Sequence, residues 1–486
     1  MISSDPGLRR LALQTLLAAF PGTQAPEWAL RLVADGLAGY ALFGYNVADP
    51  TQLAALTAQL RAVRPDVLIA IDEEGGDVTR LAHAVGSPYP GNAALGRVDD
   101  PEATRHLYRA IGAELAAVGV NLDLAPTVDV NSADDNPIIG TRSFGADPEL
   151  VARHAVAAVT GLREAGVGAC AKHFPGHGST VRDSHLTLPT VDADAALLRQ
   201  RDLPPFAAVI SARVPAIMTA HIRVPELTGD APATFSHPVL VELLRHEYGF
   251  TGAVLTDALE MAGAADAAGG IPEAAVRALA AGADLLCIGA QVDAALVERV
   301  AATITAAITA GDLPVARVEQ AAARTAALAD ELTETPPAPA DPTPPPEQLA
   351  ARIARAAVQI EGALPPLADA LVVQLESPST IAAGRVPWGL VSSLPCASVD
   401  PATASVDALR QQAGDRPVLV VGRRLHQDPA ARTLVERLAA AHPTVVAEMG
   451  WPAAWRPARA RAFVTTYGAS RANGEALAAA LGLPTE

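Results

Sequence analysis

Short apolar runs alternate with longer helical patterns through roughly the first 330 residues, and this alternation constrains the fold more than any other feature of the chain. The runs contain few polar residues, and the segments between them are rich in Ala, Leu and Arg. Such strands, separated by helices, indicate a parallel sheet that helices cover on both faces. The pattern fits a (β/α)8-type TIM barrel better than an open sheet, although only seven strands are evident. The runs occupy residues 39–44, 67–72, 120–125, 168–173, 216–221, 253–257 and 283–288.

A proline-rich segment separates this region from a second domain. Seven of the eleven residues from 336 to 346 are proline, which is typical of a stiff, extended linker. We therefore predict a barrel domain at 1–332, a linker at 333–347 and a smaller α/β sandwich domain at 348–486. Strands of the sandwich are predicted at 370–375, 417–422 and 462–467.

Composition limits the classes of partner. A net charge of −17 argues against nucleic acid and against an anionic membrane surface. Three widely spaced cysteines give no disulfide framework, and no apolar run is long enough for a transmembrane helix. Residues 11–20 resemble a short secretory signal, but Gln14 interrupts the run and no clear cleavage site follows it. We therefore predict an opening amphipathic helix and a cytoplasmic protein.

Polar residues cluster at one end of the predicted strands. In (β/α) barrels the carboxyl ends of the strands carry the active site. Each single case has a simpler explanation, because strands stop where polar residues begin, but the recurrence at one end favours a functional site. The residues are Asp72, Asp123, Lys172, His173, His221 and Asp257.

Lys172 is the only lysine among 36 cationic side chains. It opens the segment Lys-His-Phe-Pro-Gly-His-Gly-Ser-Thr-Val-Arg-Asp-Ser-His, which ends at His185. Arginine presents a rigid planar fork, whereas lysine presents a compact point charge on a flexible stem. A chain that otherwise uses arginine and places lysine here is predicted to hold a ligand at this position.

The same segment offers a proton-transfer pair, and a later strand offers a nucleophile. Asp183 and His185 project to the same side of an extended or looped backbone, so that the carboxylate can orient the imidazole and stabilise its protonated form. Asp257 follows an apolar run, and its carboxylate can attack an electrophilic carbon or stabilise a cation. The alternatives are an ordinary surface histidine and a carboxylate that caps the next helix.

Metal binding is the rival interpretation of this segment. His173 and His177 have the i, i+4 spacing of a helical zinc pair. Pro175 and Gly176 lie between them, however, and disfavour a helix. We therefore predict neither a metal nor another cofactor, with a metal-dependent hydrolase as an alternative that chelators would test.

Two further clusters have the composition of sugar-binding loops. One runs from Asp72 to Arg80 after the second apolar run, and the other runs from Thr141 to Gly145 and contains Arg142. Carboxylates and arginine forks bind sugar hydroxyls through charge-assisted hydrogen bonds. Each cluster taken singly is also compatible with a solvated loop.

Together these motifs resemble glycoside hydrolase family 3, and more narrowly its bacterial β-N-acetylglucosaminidases. The resemblance covers most of residues 8–330, and the second domain fits the two-domain members. Its most specific part is the Lys-His-Phe-Pro-Gly-His-Gly segment followed by Asp-Ser-His. The Asp-Glu-Glu-Gly-Gly, Thr-Arg-Ser-Phe-Gly and Thr-Asp-Ala-Leu pieces are less specific.

The resemblance implies a retaining exo-β-N-acetylglucosaminidase that releases N-acetylglucosamine from cell-wall or chitin-derived fragments. Asp257 would be the nucleophile of a covalent glycosyl-enzyme mechanism, and His185 with Asp183 would be the acid and then the base. The positions that match the family's N-acetylglucosamine site are Asp72, Arg80, Arg142, Lys172 and His173.

Alternatives remain open at this stage. A histidine acid/base becomes neutral after the first step, so it repels an anionic acceptor less than a carboxylate would, and phosphate is a possible partner in a phosphorylase reaction. A β-glucosidase and an inactive sugar-binding homologue are further alternatives. Asp77 stands where many relatives have a basic residue, which weakens the case for anionic leaving groups. The natural aglycone and the oligomeric state do not follow from the sequence.

Overall fold

The computed structural model describes residues 5–334, 337–338, 344–390, 394 and 396–484. The chain divides into two compact units. The barrel unit takes the described residues of Met1–Glu73, Thr104–Val130 and Ala146–Asp341, and the sandwich unit takes those of Glu74–Ala103, Asn131–Gly145 and Pro342–Glu486.

The barrel unit contains a closed parallel sheet of eight strands within its described residues. The strands follow the order β7-β6-β5-β4-β3-β2-β1-β8, and a bridge between Leu255 and Leu285 joins the two ends of that order. The predicted (β/α)8 barrel is therefore confirmed. The strands are β1 (Leu16–Ala18), β2 (Gly39–Leu42), β3 (Leu68–Ile71), β4 (Leu122–Asp123), β5 (Gly168–Phe174), β6 (Ala216–Thr219), β7 (Ala253–Thr256) and β8 (Leu286–Cys287).

The strand that the sequence did not reveal is β1. The segment predicted as one opening helix is instead a helix at Pro6–Leu13 followed by β1. Asp5 caps that helix by accepting the Gly7 N–H. β1 is fully buried and pairs with both β2 and β8. A strand of three residues carries too little periodicity to be separated from a neighbouring helix.

Helices follow most strands of the barrel and cover its outer face, while apolar side chains fill the inside. The interior includes Leu17, Leu68, Leu122, Cys170, Met218, Leu255 and Cys287. The α-helices of the chain are α1 (Pro6–Leu13), α2 (Glu27–Asp35), α3 (Pro50–Val63), α4 (Asn92–Val98), α5 (Pro101–Ala117), α6 (Pro148–Glu164), α7 (Ala195–Arg201), α8 (Pro204–Ser211), α9 (Pro225–Thr228), α10 (Ala262–Ala268), α11 (Ile271–Ala281), α12 (Ala294–Ala310), α13 (Val315–Glu334), α14 (Pro346–Ala357), α15 (Val406–Ala413), α16 (Pro429–Ala441) and α17 (Arg471–Leu481). A π-helix spans Pro238–Glu247, and short 3-10 helices span Gly44–Asn46, Gly140–Arg142 and Ala233–Phe235.

The sandwich unit is built on a second sheet, whose described strands follow the order β11-β10-β12-β13-β14-β9. All pairs are parallel except β14 with β9. Apolar clusters lie on both faces of this sheet, as expected for an α/β sandwich. The three predicted strands are present, and the structure adds β9, β11 and β13. The strands are β9 (Gln359–Gly362), β10 (Leu371–Leu375), β11 (Ala397–Val399), β12 (Val418–Gly422), β13 (Thr444–Glu448) and β14 (Ala462–Thr465).

The predicted linker lies partly outside the described residues. Its first two residues belong to α13, and α14 begins at Pro346. The segments Glu74–Ala103 and Asn131–Gly145, which fall within the predicted barrel domain, belong to the sandwich unit. The predicted domain limits therefore stay a prediction. Over the described residues, the chain has no helix that combines the length and the apolar character needed to cross a membrane.

Candidate active site

Side chains that can carry chemistry meet at the carboxyl ends of β3, β5 and β7. Asp72 follows β3, Lys172 and His173 lie in the last part of β5, and Asp257 follows β7. The register between β5 and β6 shifts between Ala171 and Phe174, and such irregularities re-aim side chains next to functional sites. The predicted end of the barrel therefore carries the polar cluster.

Lys172 is buried at the bottom of this cluster and pairs with Asp72. Its Nζ donates to Asp72 Oδ1 at 2.7 Å, and the lysine side chain is 2% exposed against 21% for the aspartate. A buried ammonium group requires a charged partner, because its desolvation is costly. The more exposed carboxylate end of the pair can meet a ligand hydroxyl.

Asp129 organises the two histidines of the Lys172 segment. Its Oδ2 lies 2.7 Å from His173 Nδ1, and its Oδ1 accepts the His177 backbone N–H at 2.6 Å. Burial raises the pKa of the Asp129 carboxyl, but the charge and hydrogen bond of His173 outweigh burial, so the pKa lies below its ordinary value. An ionised Asp129 fixes the ring orientation of His173. Asp129 was not predicted from the sequence, because it stands in an apolar stretch after β4.

The predicted Asp183–His185 pair is present. Asp183 Oδ1 lies 2.7 Å from His185 Nδ1 and accepts the His185 backbone N–H at 2.9 Å. Burial raises the pKa of Asp183, but the hydrogen bonds from His185 lower it by a larger amount. The pKa of Asp183 therefore lies below its ordinary value. The carboxylate therefore holds a proton on Nδ1 and directs Nε2 away from itself.

His177 ties this loop to the barrel. Its Nδ1 lies 2.6 Å from Thr180 Oγ1, and its Nε2 lies 3.0 Å from Ser184 Oγ, between Asp183 and His185 in the chain. Burial lowers the pKa of His177 to about 4, so the ring is neutral at ordinary pH and can both donate and accept. A neutral imidazole buried between two hydroxyls acts as a structural clamp.

Asp257 is an ionised carboxylate surrounded by imidazoles. Its Oδ1 accepts the Ala258 N–H at 2.8 Å. Burial raises its pKa, but the charges of His221, His173 and His185 outweigh burial, and the pKa lies below its ordinary value. These couplings bring Asp257 into the same electrostatic environment as the Asp183–His185 pair. His221 itself is buried, with Nδ1 2.7 Å from Thr234 Oγ1 and Nε2 3.0 Å from the Ala258 carbonyl oxygen.

Asp123 differs from the other carboxylates of the cluster. It is fully buried, its Oδ1 accepts the Glu73 N–H at 3.0 Å, and its Oδ2 has no hydrogen-bond partner among the described residues. Burial raises the pKa of this carboxyl well above its ordinary value. A protonated Asp123 is consistent with two further carboxylates, Asp72 and Glu73, in its vicinity.

Arg80 and Arg142 lie in the sandwich unit. Arg142 donates from Nε and Nη2 to the two carboxylate oxygens of Glu74, at 2.9 and 2.8 Å, and it is nearly buried. Arg80 donates from Nη2 to the Ala382 carbonyl oxygen at 2.8 Å. Asp77 accepts the Thr141 hydroxyl at 2.8 Å and the Ala469 N–H at 3.0 Å. Of the predicted site residues, the barrel unit brings together Asp72, Lys172, His173, Asp183, His185 and Asp257.

No group of three or more His, Cys, Asp and Glu side chains has the arrangement of a metal site within the described ranges. The rings of His173 and His177 are 6.0 Å apart at nearly right angles. The His173 ring is hydrogen-bonded to Asp129, and the His177 ring is hydrogen-bonded to Thr180 and Ser184. The residues of the metal interpretation are thus engaged with one another and with the loop.

Comparison with known proteins gives a family match. The model of the glycosyl hydrolase family 3 N-terminal domain matches residues 18–328. β-Hexosaminidase A of Pseudoalteromonas piscicida is 36% identical over 390 residues, which are 73% of this chain and 65% of that protein. A β-hexosaminidase of Thiobacillus denitrificans is 38% identical over 286 residues, which are 57% of this chain and 79% of that protein. The chain thus spans slightly less than two thirds of the Pseudoalteromonas protein.

The two-unit architecture also has a solved counterpart. The structure of a glycoside hydrolase family 3 β-N-acetylglucosaminidase from a Paenibacillus species is similar with a TM-score of 0.86 and 31% identity, over 98% of this chain and 96% of that chain. A β-N-acetylhexosaminidase from Beutenbergia cavernae matches 66% of this chain and 98% of its own length, with 32% identity and a TM-score of 0.61.

Proposed function

The chain belongs to glycoside hydrolase family 3, and from this membership we propose that it is a retaining exo-β-N-acetylglucosaminidase. Its substrates would be β-linked N-acetylglucosaminides from cell-wall or chitin fragments. The observation that carries the proposal is the Asp183–His185 pair, 2.7 Å between Oδ1 and Nδ1, electrostatically coupled to the ionised Asp257. The names of the relatives, β-hexosaminidase and β-N-acetylglucosaminidase, support the same substrate class.

In the first step, Asp257 attacks the anomeric carbon while the leaving oxygen takes a proton. The lowered pKa of Asp257 keeps the nucleophile ionised. His185, protonated at both nitrogens, donates from Nε2 to the glycosidic oxygen, while Asp183 stabilises the imidazolium through Nδ1. The products are a glycosyl ester on Asp257, a released alcohol and a neutral His185.

In the second step, the neutral His185 accepts a proton from water at Nε2, and the water oxygen attacks the anomeric carbon. The ester bond to Asp257 breaks, and the carboxylate returns to its ionised form. Two inversions at one carbon give net retention. Asp183 prevents the ring from rotating between the steps, because it accepts from both Nδ1 and the backbone N–H of His185.

The sugar would be held by the pairs beside this machinery. Asp72 is the more exposed member of its pair with Lys172, which suits a carboxylate that accepts from a sugar hydroxyl. His173 is oriented through Nδ1 by Asp129, which suits a ring that contacts the sugar in a fixed position. Sugar-binding roles for Arg80 and Arg142 stay predictions from the family resemblance. A cytoplasmic location stays a prediction from the composition and the N-terminal sequence.

Phosphate is the second candidate acceptor. A histidine acid/base is neutral when the acceptor enters, so a phosphate anion meets less repulsion than it would from a carboxylate at that position. Attack by phosphate on the glycosyl-enzyme would give N-acetylglucosamine 1-phosphate. A reaction run with and without phosphate, with the products separated, distinguishes this route from hydrolysis.

The test of the proposal is turnover of 4-nitrophenyl N-acetyl-β-glucosaminide by the full chain, with the anomeric configuration of the first product followed by NMR. We expect a β product in the wild type and loss of turnover in Asp257→Ala. Asp266→Ala, on α10, is a matched control for the loss of a carboxylate. Near wild-type rates in Asp257→Ala, or an α product, would overturn the proposed mechanism. Unchanged activity in the presence of EDTA is expected as well.

A further inference from the structure

The second sheet has a topological switch point. β10 lies between β11 and β12, so the chain leaves β10 on one side to form β11 and then returns to the other side to form β12. In open parallel α/β sheets, ligands bind in the crevice outside the carboxyl ends of the strands at such a point. A cavity of roughly 740 Å³, counted with its open mouth, lies at this position.

Two adjacent arginines line this cavity. Arg423 and Arg424 follow directly after β12, opposite Ser377 and Pro378, which follow β10. The chain carries 53 Asp and Glu against 36 Lys and Arg, so a carboxylate partner would be easy to supply. Among the described residues, however, neither guanidinium forms an ion pair.

The hydrogen bonds of Arg423 are long, and those of Arg424 go to neutral carbonyl oxygens. Arg423 donates from Nη2 to the Ser377 carbonyl oxygen and to Ser379 Oγ, both at 3.4 Å. Its Nε is buried and has no partner within the described residues, and its guanidinium stacks 4.5 Å from the centre of the Trp388 ring. Arg424 donates to the Pro378 and Pro137 carbonyl oxygens. Burying such cations without a counter-charge costs free energy.

The nearest carboxylates of this unit are committed elsewhere. Glu448 accepts the backbone N–H groups of Arg424, Leu425 and Gly450 at 2.6–2.8 Å, and burial raises its pKa to about 7. Asp77 accepts the Thr141 hydroxyl and the Ala469 N–H. Burial lowers the pKa of both arginines, and the charges of Asp77 and Glu448 offset that effect only in part. Glu448 therefore shapes the turn that presents the arginines rather than neutralising them.

Two carboxylates, Asp428 and Glu376, also line the cavity. Asp428 caps α16 by accepting the N–H groups of Ala430 and Ala431. Glu376 is exposed and lies 3.4 Å from Ser398 Oγ. A narrow second pocket shares both arginines and Gln427, extends to Trp451 and is also lined by Arg142.

We propose that Arg423 and Arg424 form a phosphate-binding site at the switch point of the second sheet. Arginine forks bind phosphate oxygens bidentately, and two adjacent cations match the charge of a phosphate dianion better than that of a single carboxylate. The phosphate reaches the site either as the free anion or as a phosphomonoester. This inference does not rest on the proposed function.

The test is titration calorimetry of the full chain with inorganic phosphate and, separately, with glycerol 3-phosphate, at ionic strength matched with chloride. We expect saturable binding in the wild type and a dissociation constant raised at least roughly tenfold in Arg423→Gln/Arg424→Gln, because each charge-assisted pair contributes strongly to binding. Binding of both probes identifies the free anion as a ligand, and binding of the ester only identifies a phosphomonoester. Arg437→Gln, an exposed position on α16, should bind as the wild type does.

The conservative variant Arg423→Lys keeps the positive charge and removes the planar guanidinium group. It also keeps the proposal testable if the double variant does not fold. We expect it to bind phosphate several-fold more weakly while its circular dichroism spectrum and its activity on the chromogenic substrate stay unchanged. The site would be overturned if the wild type bound neither probe at 10 mM, or if the double variant bound both with wild-type affinity. The second result would place phosphate elsewhere on the chain, including at the catalytic cluster.

Discussion

His185 Nδ1 lies 2.7 Å from Asp183 Oδ1, and the same oxygen accepts the His185 backbone N–H at 2.9 Å. One carboxylate oxygen therefore fixes both the ring and the backbone of the residue that we propose as acid and base. The pair lies within two residues, so its geometry is local, but its position beside Asp257 depends on the fold of the barrel.

Asp183→Asn should slow turnover without removing the histidine. The amide keeps the shape of the carboxylate but does not stabilise an imidazolium, so we expect kcat to fall roughly 10²-fold or more for substrates with poor leaving groups. Activated aryl glycosides need little proton donation and should lose much less. A series of aryl N-acetyl-β-glucosaminides measures this dependence. Equal losses across the series would contradict the assigned role of Asp183.

Lys172→Arg tests the choice of lysine at the buried pair with Asp72. A planar guanidinium is larger than an ammonium group and does not fit a side-chain site that is 2% exposed. We expect kcat/KM to fall roughly tenfold or more, mainly through KM, as measured with the chromogenic substrate. Arg437→Lys, on the exposed face of α16, is the control. Unchanged KM and kcat in Lys172→Arg would contradict a role for this lysine in sugar binding.

Ser184→Ala tests the clamp between His177 and the acid/base loop. Removing the hydroxyl deletes the 3.0 Å hydrogen bond between Ser184 Oγ and His177 Nε2, and the loss of a typical hydrogen bond costs about 1 kcal/mol. We expect kcat to fall and KM to change little, because the loop that carries His185 is held less firmly. Ser179→Ala is a matched control in the same segment, since the Ser179 hydroxyl is buried without a hydrogen-bond partner among the described residues. Equal kinetics in the two variants would show that the clamp does not act on catalysis.

The stability of the fold should depend on pH through His177. Burial lowers the pKa of this ring from 6.5 to about 4, so below pH 6.5 the unfolded chain binds a proton that the folded chain does not. The free energy of unfolding should fall as pH decreases from 6.5 to 4, by roughly 3 kcal/mol from this group at most. Urea denaturation at a series of pH values measures the slope. In His177→Gln the free energy of unfolding should depend less on pH between 4 and 6.5. An equal slope in both proteins would rule out a buried neutral His177.

Asp284 should be the costliest single carboxylate to remove from the barrel. It is fully buried, and among the described residues the cations of Arg245, Arg317 and Arg324 converge on it. Asp284→Asn leaves buried cations without a counter-charge, so we expect a loss of about 3–5 kcal/mol in the free energy of unfolding. Urea denaturation measures it. The control is Asp330→Asn, exposed on α13, whose free energy of unfolding should lie within about 0.5 kcal/mol of the wild-type value. A change as small in Asp284→Asn would contradict the structure of this cluster.

Much of the fold was predictable because buried parallel strands are nearly continuous in apolar residues. Seven strands of the barrel and three of the sandwich followed from that signal. β1 was missed because it has three residues and adjoins a helix, and β9 because it is an edge strand whose residues are largely exposed. β13 is buried and β-branched, and its Thr-Val-Val-Ala-Glu pattern could have been recognised.

Most residues of the candidate site were predictable from the sequence, and Asp129 was not. Asp257, Lys172, His173 and the Asp183–His185 pair could be named from strand ends and from a family motif. Asp129, which orients His173, gave no such signal, because a single carboxylate in an apolar stretch acquires its role only through contacts 44 residues along the chain.

The sequence by itself determined the parallel barrel, the second domain and the residue types of the candidate site, since hydrophobic periodicity and local spacing are properties of the chain. Only the tertiary structure decided the protonation states and the pairings, because burial and distance set the pKa of Asp257, Asp129 and His177. The fold also left Arg423 and Arg424 without carboxylate partners among the described residues. The lack of carboxylate partners results from the packing of this unit, and no pattern in the sequence predicts it.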